Sequence, residues 1–257
     1  MSTARNICDD TALDFMNTEE STGTTIMAIE FADGVVIGAD SRTSMGAYVS
    51  NRVADKLTKL TDQIYVCRSG SAADTKAISA IVSYRMNMLS MELGEPVSVK
   101  TAANDVRQVI YTYRESLSAG MIVAGWDRKH GGQVYCVTLG GMISREPCCI
   151  GGSGSGYIYG FMDSNFKKGM SQDECVELVV KAISQAIWRD GSSGGVIRIG
   201  IITEKGIVRK LFSGDEGWCK PSEMMDFSYR FAVLQAFGIS SLPESCLHGL
   251  KWDLGTQ

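Results

Sequence analysis

Histidine is the commonest catalytic base in enzymes, and this sequence has only 2 histidines. His130 lies in a glycine-flanked turn and His248 lies near the C-terminus, so a serine–histidine or cysteine–histidine catalyst has few candidates. The sequence has no His-Glu-x-x-His motif and no cysteine–histidine cluster at zinc-ligand spacing. We therefore expect no metal centre, and an enzyme made from this chain would need another base.

A glycine-serine run at residues 151–156 could in principle hold a phosphate, because it lies between a predicted strand and a predicted helix. The dinucleotide motif G-x-G-x-x-G would need glycine where Tyr157 stands, and no Gly-Lys-Ser/Thr follows for a P-loop. A tight strand-to-helix turn is the favoured interpretation. A nucleotide-binding module remains the weaker alternative.

The cysteines indicate packing rather than disulfide or metal chemistry. No pair has Cys-x-x-Cys spacing, and several alternate with apolar residues in predicted strands, where cysteine behaves as a small hydrophobic residue. We expect free thiols in a reducing compartment. The 8 cysteines are Cys8, Cys67, Cys136, Cys148, Cys149, Cys175, Cys219 and Cys246.

Charge and composition exclude several classes of partner. The 257 residues include 25 Lys and Arg and 29 Asp and Glu, a formal charge of −4, so no basic excess indicates nucleic-acid binding. No apolar run is long enough to span a membrane, and the N-terminus lacks the pattern of a secretory signal. Residues 1–23 are polar, acidic and without clear periodicity, so we predict a leader outside the core.

The order of predicted elements indicates two packed sheets in one domain. An Asp33-Gly34 turn joins two strands that follow Thr24. Groups of strands then alternate with pairs of helices. This order differs from the strict strand-helix-strand alternation of a parallel doubly wound fold. We predict two antiparallel sheets with helix pairs outside. Later elements are a strand at 63–70, helices at 72–93 and 101–118, strands at 121–127, 133–139 and 142–150, a helix led by a capping box at 171–174, and two final strands.

Several motifs in this order resemble those of proteasome beta-type subunits, from about Gly23 to Phe212. The similarity is greatest to the caspase-like catalytic subunit, and it implies the N-terminal nucleophile hydrolase fold. This α+β fold is a four-layer αββα sandwich with two antiparallel sheets. The motifs are Gly-Thr-Thr-Ile-Met-Ala at 23–28, Gly-Ala-Asp-Ser-Arg at 38–42, Asp-Lys at 55–56, Arg-Ser-Gly-Ser-Ala-Ala-Asp at 68–74, Ala-Gly-Trp-Asp at 124–127, Gly-Gly-Ser-Gly-Ser at 151–155 and Arg-Asp-Gly-Ser-Ser-Gly-Gly at 189–195.

The resemblance implies that the chain cuts its own Gly23–Thr24 bond and exposes Thr24 as a nucleophile. The free α-amino group of Thr24 would then act as base, since its pKa of about 7.7–8.0 leaves a substantial fraction of it neutral near physiological pH. Lys56 would lie beside the nucleophile, and Asp40 would pair with Lys56. This mechanism requires no metal or organic cofactor.

The same resemblance assigns supporting and substrate-binding positions. Arg68, two residues before Gly70 on an extended strand, would pair with an acidic substrate side chain. Ala54 departs from the threonine of many caspase-like relatives, which leaves the width of the pocket open. The supporting positions are Ser153, Asp190, Ser193 and the oxyanion-binding amide of Gly70; the pocket walls are Thr43, Ala54, Thr75 and Lys76; backbone groups of Ser44 and Ala72 would hold the substrate.

The expected protein is a threonine endopeptidase of the proteasome core that cleaves unfolded, ubiquitin-targeted proteins after acidic residues. The resemblance implies stacked seven-membered rings of alpha and beta subunits, regulatory particles as partners, and a location in cytoplasm and nucleus. It also implies a propeptide at 1–23 and a hydrolase domain at 24–212. Residues 213–257 form an atypical extension in which 227–239 could be a short helix. A non-catalytic structural ring subunit is the alternative function.

Overall fold

The computed structural model describes residues 23–46 and 48–213. The predicted leader before Gly23, the short helix at 227–239 and His248 lie outside these residues, as do Cys8, Cys219 and Cys246. The predicted hydrolase domain, 24–212, is almost entirely described.

One antiparallel sheet begins with the predicted hairpin. Strands β1 (Ile26–Phe31) and β2 (Gly34–Ala39) pair in register from Ile26 opposite Ala39 to Phe31 opposite Gly34, which confirms the Asp33-Gly34 turn. The other strands of this sheet are β10 (Cys148–Gly151), β11 (Ile197–Thr203) and β12 (Gly206–Phe212), in the order β10-β1-β2-β11-β12.

The second antiparallel sheet consists of successive strands. Its order is β5-β6-β7-β8-β9, formed by β5 (Leu57–Thr61), β6 (Ile64–Gly70), β7 (Ala119–Asp127), β8 (Gly131–Val137) and β9 (Ile143–Arg145). A separate pair, β3 (Thr43–Met45) and β4 (Tyr48–Asn51), was not expected from the sequence. It lies between the Asp40 and Lys56 segments in the chain.

Four α-helices are present in the described residues: α1 (Ala72–Leu93), α2 (Val99–Thr112), α3 (Tyr159–Asn165) and α4 (Gln172–Arg189). Helix α4 begins with the predicted capping box, in which Ser171 and Glu174 satisfy each other's backbone N–H groups. At the start of α1, Ser71 and Asp74 form only half of such a capping box. Ser71 accepts the N–H of Asp74, but the Asp74 carboxylate accepts from the N–H of Ser118 instead.

Alternating side chains of the strands form the core between the layers. In β1, Met27 and Ile29 pack with α4 while Ile26 and Ala28 face the other sheet. In β6, Ile64 and Val66 pack with α1 and α2 while Tyr65 and Cys67 face the first sheet. Three apolar clusters therefore separate four layers, helix, sheet, sheet and helix, as predicted.

Two predicted boundaries were wrong because distant contacts override local propensity. The second helix ends at Thr112, not near Ser118, since Ser118 is tied to the start of α1 through its N–H to Asp74 and its carbonyl to Ser71. The predicted strand at 142–150 is two strands in different sheets, β9 and β10, separated around Pro147.

Candidate active site

Thr24 lies just before β1, is 2% exposed, and follows an intact Gly23–Thr24 peptide bond. Its hydroxyl Oγ1 donates a hydrogen bond of 2.7 Å to the carbonyl oxygen of Gly23. The N–H of Gly23 donates to the hydroxyl of Ser44 at 3.3 Å. The hydroxyl oxygen of Thr24 is therefore next to the carbonyl that it would have to attack.

Lys56 connects this hydroxyl and this carbonyl to a carboxylate. Its Nζ donates to Asp40 Oδ1 at 2.7 Å, to the Gly23 carbonyl oxygen at 2.9 Å and to Thr24 Oγ1 at 3.0 Å. An ammonium has three hydrogens, so the three bonds use its full donor capacity. The charge is directed at the predicted nucleophile and at the oxygen on which negative charge would develop.

Asp40 holds Lys56 in place from a fully buried position at the end of β2. Besides Lys56, its Oδ1 accepts from the N–H of Thr25 at 2.9 Å. Its Oδ2 accepts from the N–H groups of Arg42 at 3.2 Å and Gly194 at 3.0 Å. Four donors thus fix one carboxylate, which leaves Lys56 little freedom to move.

Burial lowers the pKa of Lys56 from its ordinary value, against the attraction of Asp40, which raises it. The charge of Arg68 also lowers it, so the two cations are close enough to interact. Arg68 is on the strand next to Lys56, and its N–H donates to the Lys56 carbonyl at 3.0 Å.

A second polar cluster surrounds the backbone N–H of Thr24. This N–H donates to Ser153 Oγ at 3.1 Å, and Ser153 donates to Asp190 Oδ2 at 2.7 Å. The same carboxylate oxygen accepts from Ser193 Oγ at 2.6 Å. The three predicted supporting residues therefore form one connected group behind the nitrogen of Thr24.

The glycine-serine run supports this cluster rather than an open phosphate site. The N–H of Gly154 donates to the Thr24 carbonyl at 3.2 Å, and the N–H of Ser155 donates to Gly152. A Cβ at Gly152, where φ is +88°, would lie 2.1 Å from that Thr24 carbonyl oxygen. The turn interpretation fits this geometry, since the amides of Gly154 and Ser155 already have partners within the protein.

Gly70 ends β6 with φ of +99°, a conformation that favours glycine. A Cβ there would lie 2.3 Å from the carbonyl oxygen of Ser118. The backbone at this position can therefore approach β7 only because the residue has no side chain. The predicted oxyanion-binding amide belongs to this residue.

The side chain of Arg68 is partly buried, so its positive charge is partly removed from water. Its Nη2 donates to the carbonyl of Asp55, and its buried Nε has no hydrogen-bond partner within the described residues. Burial lowers the pKa of Arg68, whereas the charge of Asp55 raises it. The guanidinium retains capacity to bind an acceptor.

The predicted wall residues differ in their availability to a ligand. Lys76 and Ala72 are exposed at the start of α1, whereas Thr75 is 1% exposed and its hydroxyl donates to the Ser71 carbonyl. Ala54 is partly buried, with its carbonyl accepting from Arg198. Thr43 in β3 is also partly buried and its carbonyl accepts from Ser50. The side chain of Ser44, predicted to act through its backbone, contacts Gly23 directly.

A cleft of about 560 Å³ opens beside the polar cluster at Thr24. Its lining includes Gly70, Gly152 and Ser153, and it continues along β8 to Cys136 and Leu139. The cleft gives an extended chain room next to the predicted oxyanion-binding amide.

Two residues of the site were not predicted. Thr25 Oγ1 lies 2.8 Å from Ser193 Oγ, and Arg42 donates to the Gly191 carbonyl at 2.9 Å. A polar residue at the start of an apolar strand is the sequence signal that marks Thr25. Arg42 has no comparable local signal because its partner is 149 residues away.

No group of His, Cys, Asp and Glu suited to a metal ion occurs within residues 23–46 and 48–213. Across the same residues, no helix is both long and apolar enough to cross a membrane.

Comparison with known proteins identifies the family. The family model described as Proteasome subunit matches residues 20–202. The chain belongs to the proteasome subunit family. It is 52% identical over 193 residues to Proteasome subunit beta type-6 of Dictyostelium discoideum, covering 75% of this chain and 90% of that protein. It is 50% identical to Proteasome subunit beta type-1 of Saccharomyces cerevisiae over 77% of this chain and 92% of that protein.

A third relative, Proteasome subunit beta type-9 of Bos taurus, is 54% identical over 77% of this chain and 90% of its own length. These matches confirm the prediction of a proteasome beta-type subunit. They also confirm its fold, the αββα sandwich of N-terminal nucleophile hydrolases, and its class, threonine-type endopeptidases. As a subunit, the chain is one component of a larger particle.

Proposed function

We propose that Thr24 is the nucleophile of this subunit and that it first cuts the Gly23–Thr24 bond. The observation that carries the proposal is the position of the Lys56 ammonium, which donates to Thr24 Oγ1, the Gly23 carbonyl and Asp40. When Oγ1 attacks the carbonyl carbon, negative charge develops on the Gly23 oxygen, where the ammonium stabilises it. The Gly23 C–Thr24 N bond then breaks and the nitrogen takes the hydroxyl proton, which frees the Thr24 amine and leaves an ester on Oγ1. Water hydrolyses this ester, which releases the leader and restores the hydroxyl.

The freed amine would act as general base in peptide cleavage. The nitrogen of Thr24 is already held by Ser153, which is bonded to Asp190, so the amine needs no large rearrangement to be oriented. It accepts the hydroxyl proton as Oγ1 attacks a substrate carbonyl, and the amide of Gly70 stabilises the oxyanion. The nearby charge of Lys56 favours the deprotonated forms of both groups.

A pair of Thr24 variants tests this assignment in the assembled particle. Thr24→Ala removes the hydroxyl, and we expect neither self-cleavage nor peptide hydrolysis. Thr24→Ser keeps the hydroxyl and should retain both reactions. Thr112→Ala, an exposed position at the end of α2, is the control and should behave as wild type. Self-cleavage by Thr24→Ala would disprove the proposal.

We further propose that the subunit cleaves after acidic residues. Support comes from Arg68, a partly buried cation beside Lys56 whose buried Nε has no partner among the described residues. A charged hydrogen bond contributes about 1.5–3 kcal/mol, or roughly a 10- to 100-fold preference. Peptides with Glu or Gln before the cleaved bond isolate this charge effect.

The ratio of kcat/KM for the Glu and Gln peptides should fall by about that factor in Arg68→Gln. It should stay unchanged in Arg85→Gln, because Arg85 forms an exposed pair with Asp105 on the outer helices. An unchanged ratio in Arg68→Gln would remove Arg68 from substrate recognition.

Within the proposal, residues 1–23 are a propeptide, 24–212 the hydrolase domain and 213–257 an atypical extension. The subunit would assemble with alpha and beta subunits in stacked heptameric rings, with regulatory particles, in cytoplasm and nucleus. Its substrates would be unfolded, ubiquitin-targeted proteins. Family membership supports assembly with other subunits.

A further inference from the structure

Two cysteines face the same inter-sheet layer from opposite sheets. Cys136 lies in β8 and Cys149 in β10, and both pack in the apolar cluster between the sheets. The side chains of Tyr135 and Val137, which flank Cys136 in β8, face the helices instead. A covalent bond between the two sulfur atoms would therefore connect the two sheets.

The chain brings these cysteines together at one corner of the sandwich. Ser144 of β9 pairs with Cys136, and the chain then passes Pro147 into β10 of the other sheet. On the way, the N–H of Glu146 donates to the Val134 carbonyl at 3.3 Å. The side chains of Cys136 and Cys149 lie close enough for their thiols to interact.

The two thiols differ in access. Cys136 is partly buried and lines the cleft that also contains Gly70 and Ser153. Cys149 is only 5% exposed. A small molecule in the cleft can therefore meet Cys136 first, with Cys149 behind it as a second thiol.

A lowered pKa also favours Cys136 as the thiol that reacts first. Its side-chain interaction with Cys149 lowers the pKa of Cys136, and the thiolate is the nucleophilic form. Burial instead raises the pKa of Cys148 to about 12 and that of Cys175 to about 11. Its position in the cleft and its lowered pKa therefore both identify Cys136 as the thiol that reacts first.

We propose that Cys136 and Cys149 are a redox-sensitive pair, which a hydroperoxide closes into a disulfide in the wall of the cleft. The Cys136 thiolate attacks one peroxide oxygen, the O–O bond breaks, and the other oxygen leaves as water or an alcohol after taking a proton. Cys136 becomes a sulfenic acid. The Cys149 sulfur then attacks the Cys136 sulfur, the S–O bond breaks and water leaves. The two thiols lose two electrons, and the peroxide gains them.

The disulfide would alter the active site through β10. Cys149 is followed within the same segment by Gly152 and Ser153, and Ser153 holds the nitrogen of Thr24. Moving the Cys149 sulfur toward β8 shifts the strand that leads to this loop. We expect reversible loss of peptidase activity; this effect rests on the proposed function, whereas formation of the disulfide does not.

The test uses assembled particles treated with hydrogen peroxide, followed by alkylation of free thiols and peptide mapping by mass spectrometry. We expect a cross-linked peptide pair containing Cys136 and Cys149, loss of the mass of two hydrogens, and lost activity that dithiothreitol restores. Cys149→Ser should form no cross-link and should accumulate oxidised Cys136. The matched control, Cys175→Ser in α4, should form the cross-link as wild type does.

The proposal is overturned if both cysteines remain fully alkylatable after peroxide treatment that oxidises other thiols in the particle. It is also overturned if Cys149→Ser loses activity and recovers it with dithiothreitol to the same extent as wild type. A cross-link in particles that lack peptidase activity before treatment would support the thiol pair and contradict the proposed function, so the two failures are distinguishable.

Discussion

Replacing Asp40 with asparagine tests whether a buried carboxylate positions Lys56. Each Asp40 oxygen accepts two donors: Oδ1 accepts from Lys56 and Thr25, and Oδ2 accepts from Arg42 and Gly194. An asparagine amide group is itself a donor. Whichever oxygen it replaces, two donors lose their acceptor at a fully buried position.

The expected cost is large because both charges are buried. Side-chain exposure is 7% for Lys56 and 0% for Asp40, and removing one partner of such a pair costs about 3–5 kcal/mol. Without Asp40, the pKa of Lys56 falls further, since the attraction that opposes burial is lost. Displacement of Lys56 Nζ from the Gly23 carbonyl should slow self-cleavage by about 10²- to 10³-fold, as loss of an oxyanion donor does.

Urea unfolding of the recombinant chain measures the first effect, and the rate at which assembled particles lose the leader measures the second. Asp62→Asn is the matched control, because Asp62 pairs with Lys59 at 2.6 Å with side-chain exposures of 92% and 55%. An exposed pair contributes about 0–1 kcal/mol. If Asp40→Asn unfolds and self-cleaves as Asp62→Asn does, the argument from burial is refuted.

Three other predictions concern the scaffold. Gly70→Ala should destabilise the chain by about 1–3 kcal/mol in urea unfolding, because φ is +99° there and a Cβ would meet the Ser118 carbonyl; Gly140→Ala, with nothing within 4 Å of its Cβ, is the control. Ser171→Ala removes a helix cap and should cost about 1 kcal/mol without changing peptidase activity. Burial raises the pKa of Asp127, but the hydrogen bonds that it accepts outweigh burial and lower it. Its contribution to stability should be complete above pH of about 3.9 and be lost as pH falls further, in thermal melts that Asp127→Asn makes less pH-dependent.

Each of these three predictions would be contradicted by a specific result. Equal stability of Gly70→Ala and Gly140→Ala would contradict the steric argument. Loss of activity in Ser171→Ala at temperatures well below its melting point would show that the cap acts on the site. An unchanged acid dependence in Asp127→Asn would mean that other carboxylates control acid unfolding.

Local sequence signals predicted the features whose contacts are local. The Asp33-Gly34 turn and the Ser171–Glu174 capping box involve residues close in the chain, and the structure has both. The end of the second helix was not predictable, because it depends on Asp74 binding Ser118 from another segment. The division at Pro147 likewise depends on which sheet each half can join.

The motifs identified the residues of the site, while the fold determines how they meet. Asp190 lies 37 residues from Ser153 in sequence, yet their side chains are 2.7 Å apart. The contact of Ser44 Oγ with Gly23 and the pairing of Thr25 with Ser193 required the packed structure. Motif order predicts which positions matter, whereas donors and acceptors become paired only when strands and loops pack.

The N-terminus of the mature chain tests the central claim most directly. Intact mass and N-terminal sequencing of the chain from its native particle should give Thr24 as the first residue, with the Thr24→Ala variant retaining its leader. Met1 or Ser2 at the N-terminus in fully assembled particles would contradict catalysis by Thr24 and support a structural ring subunit.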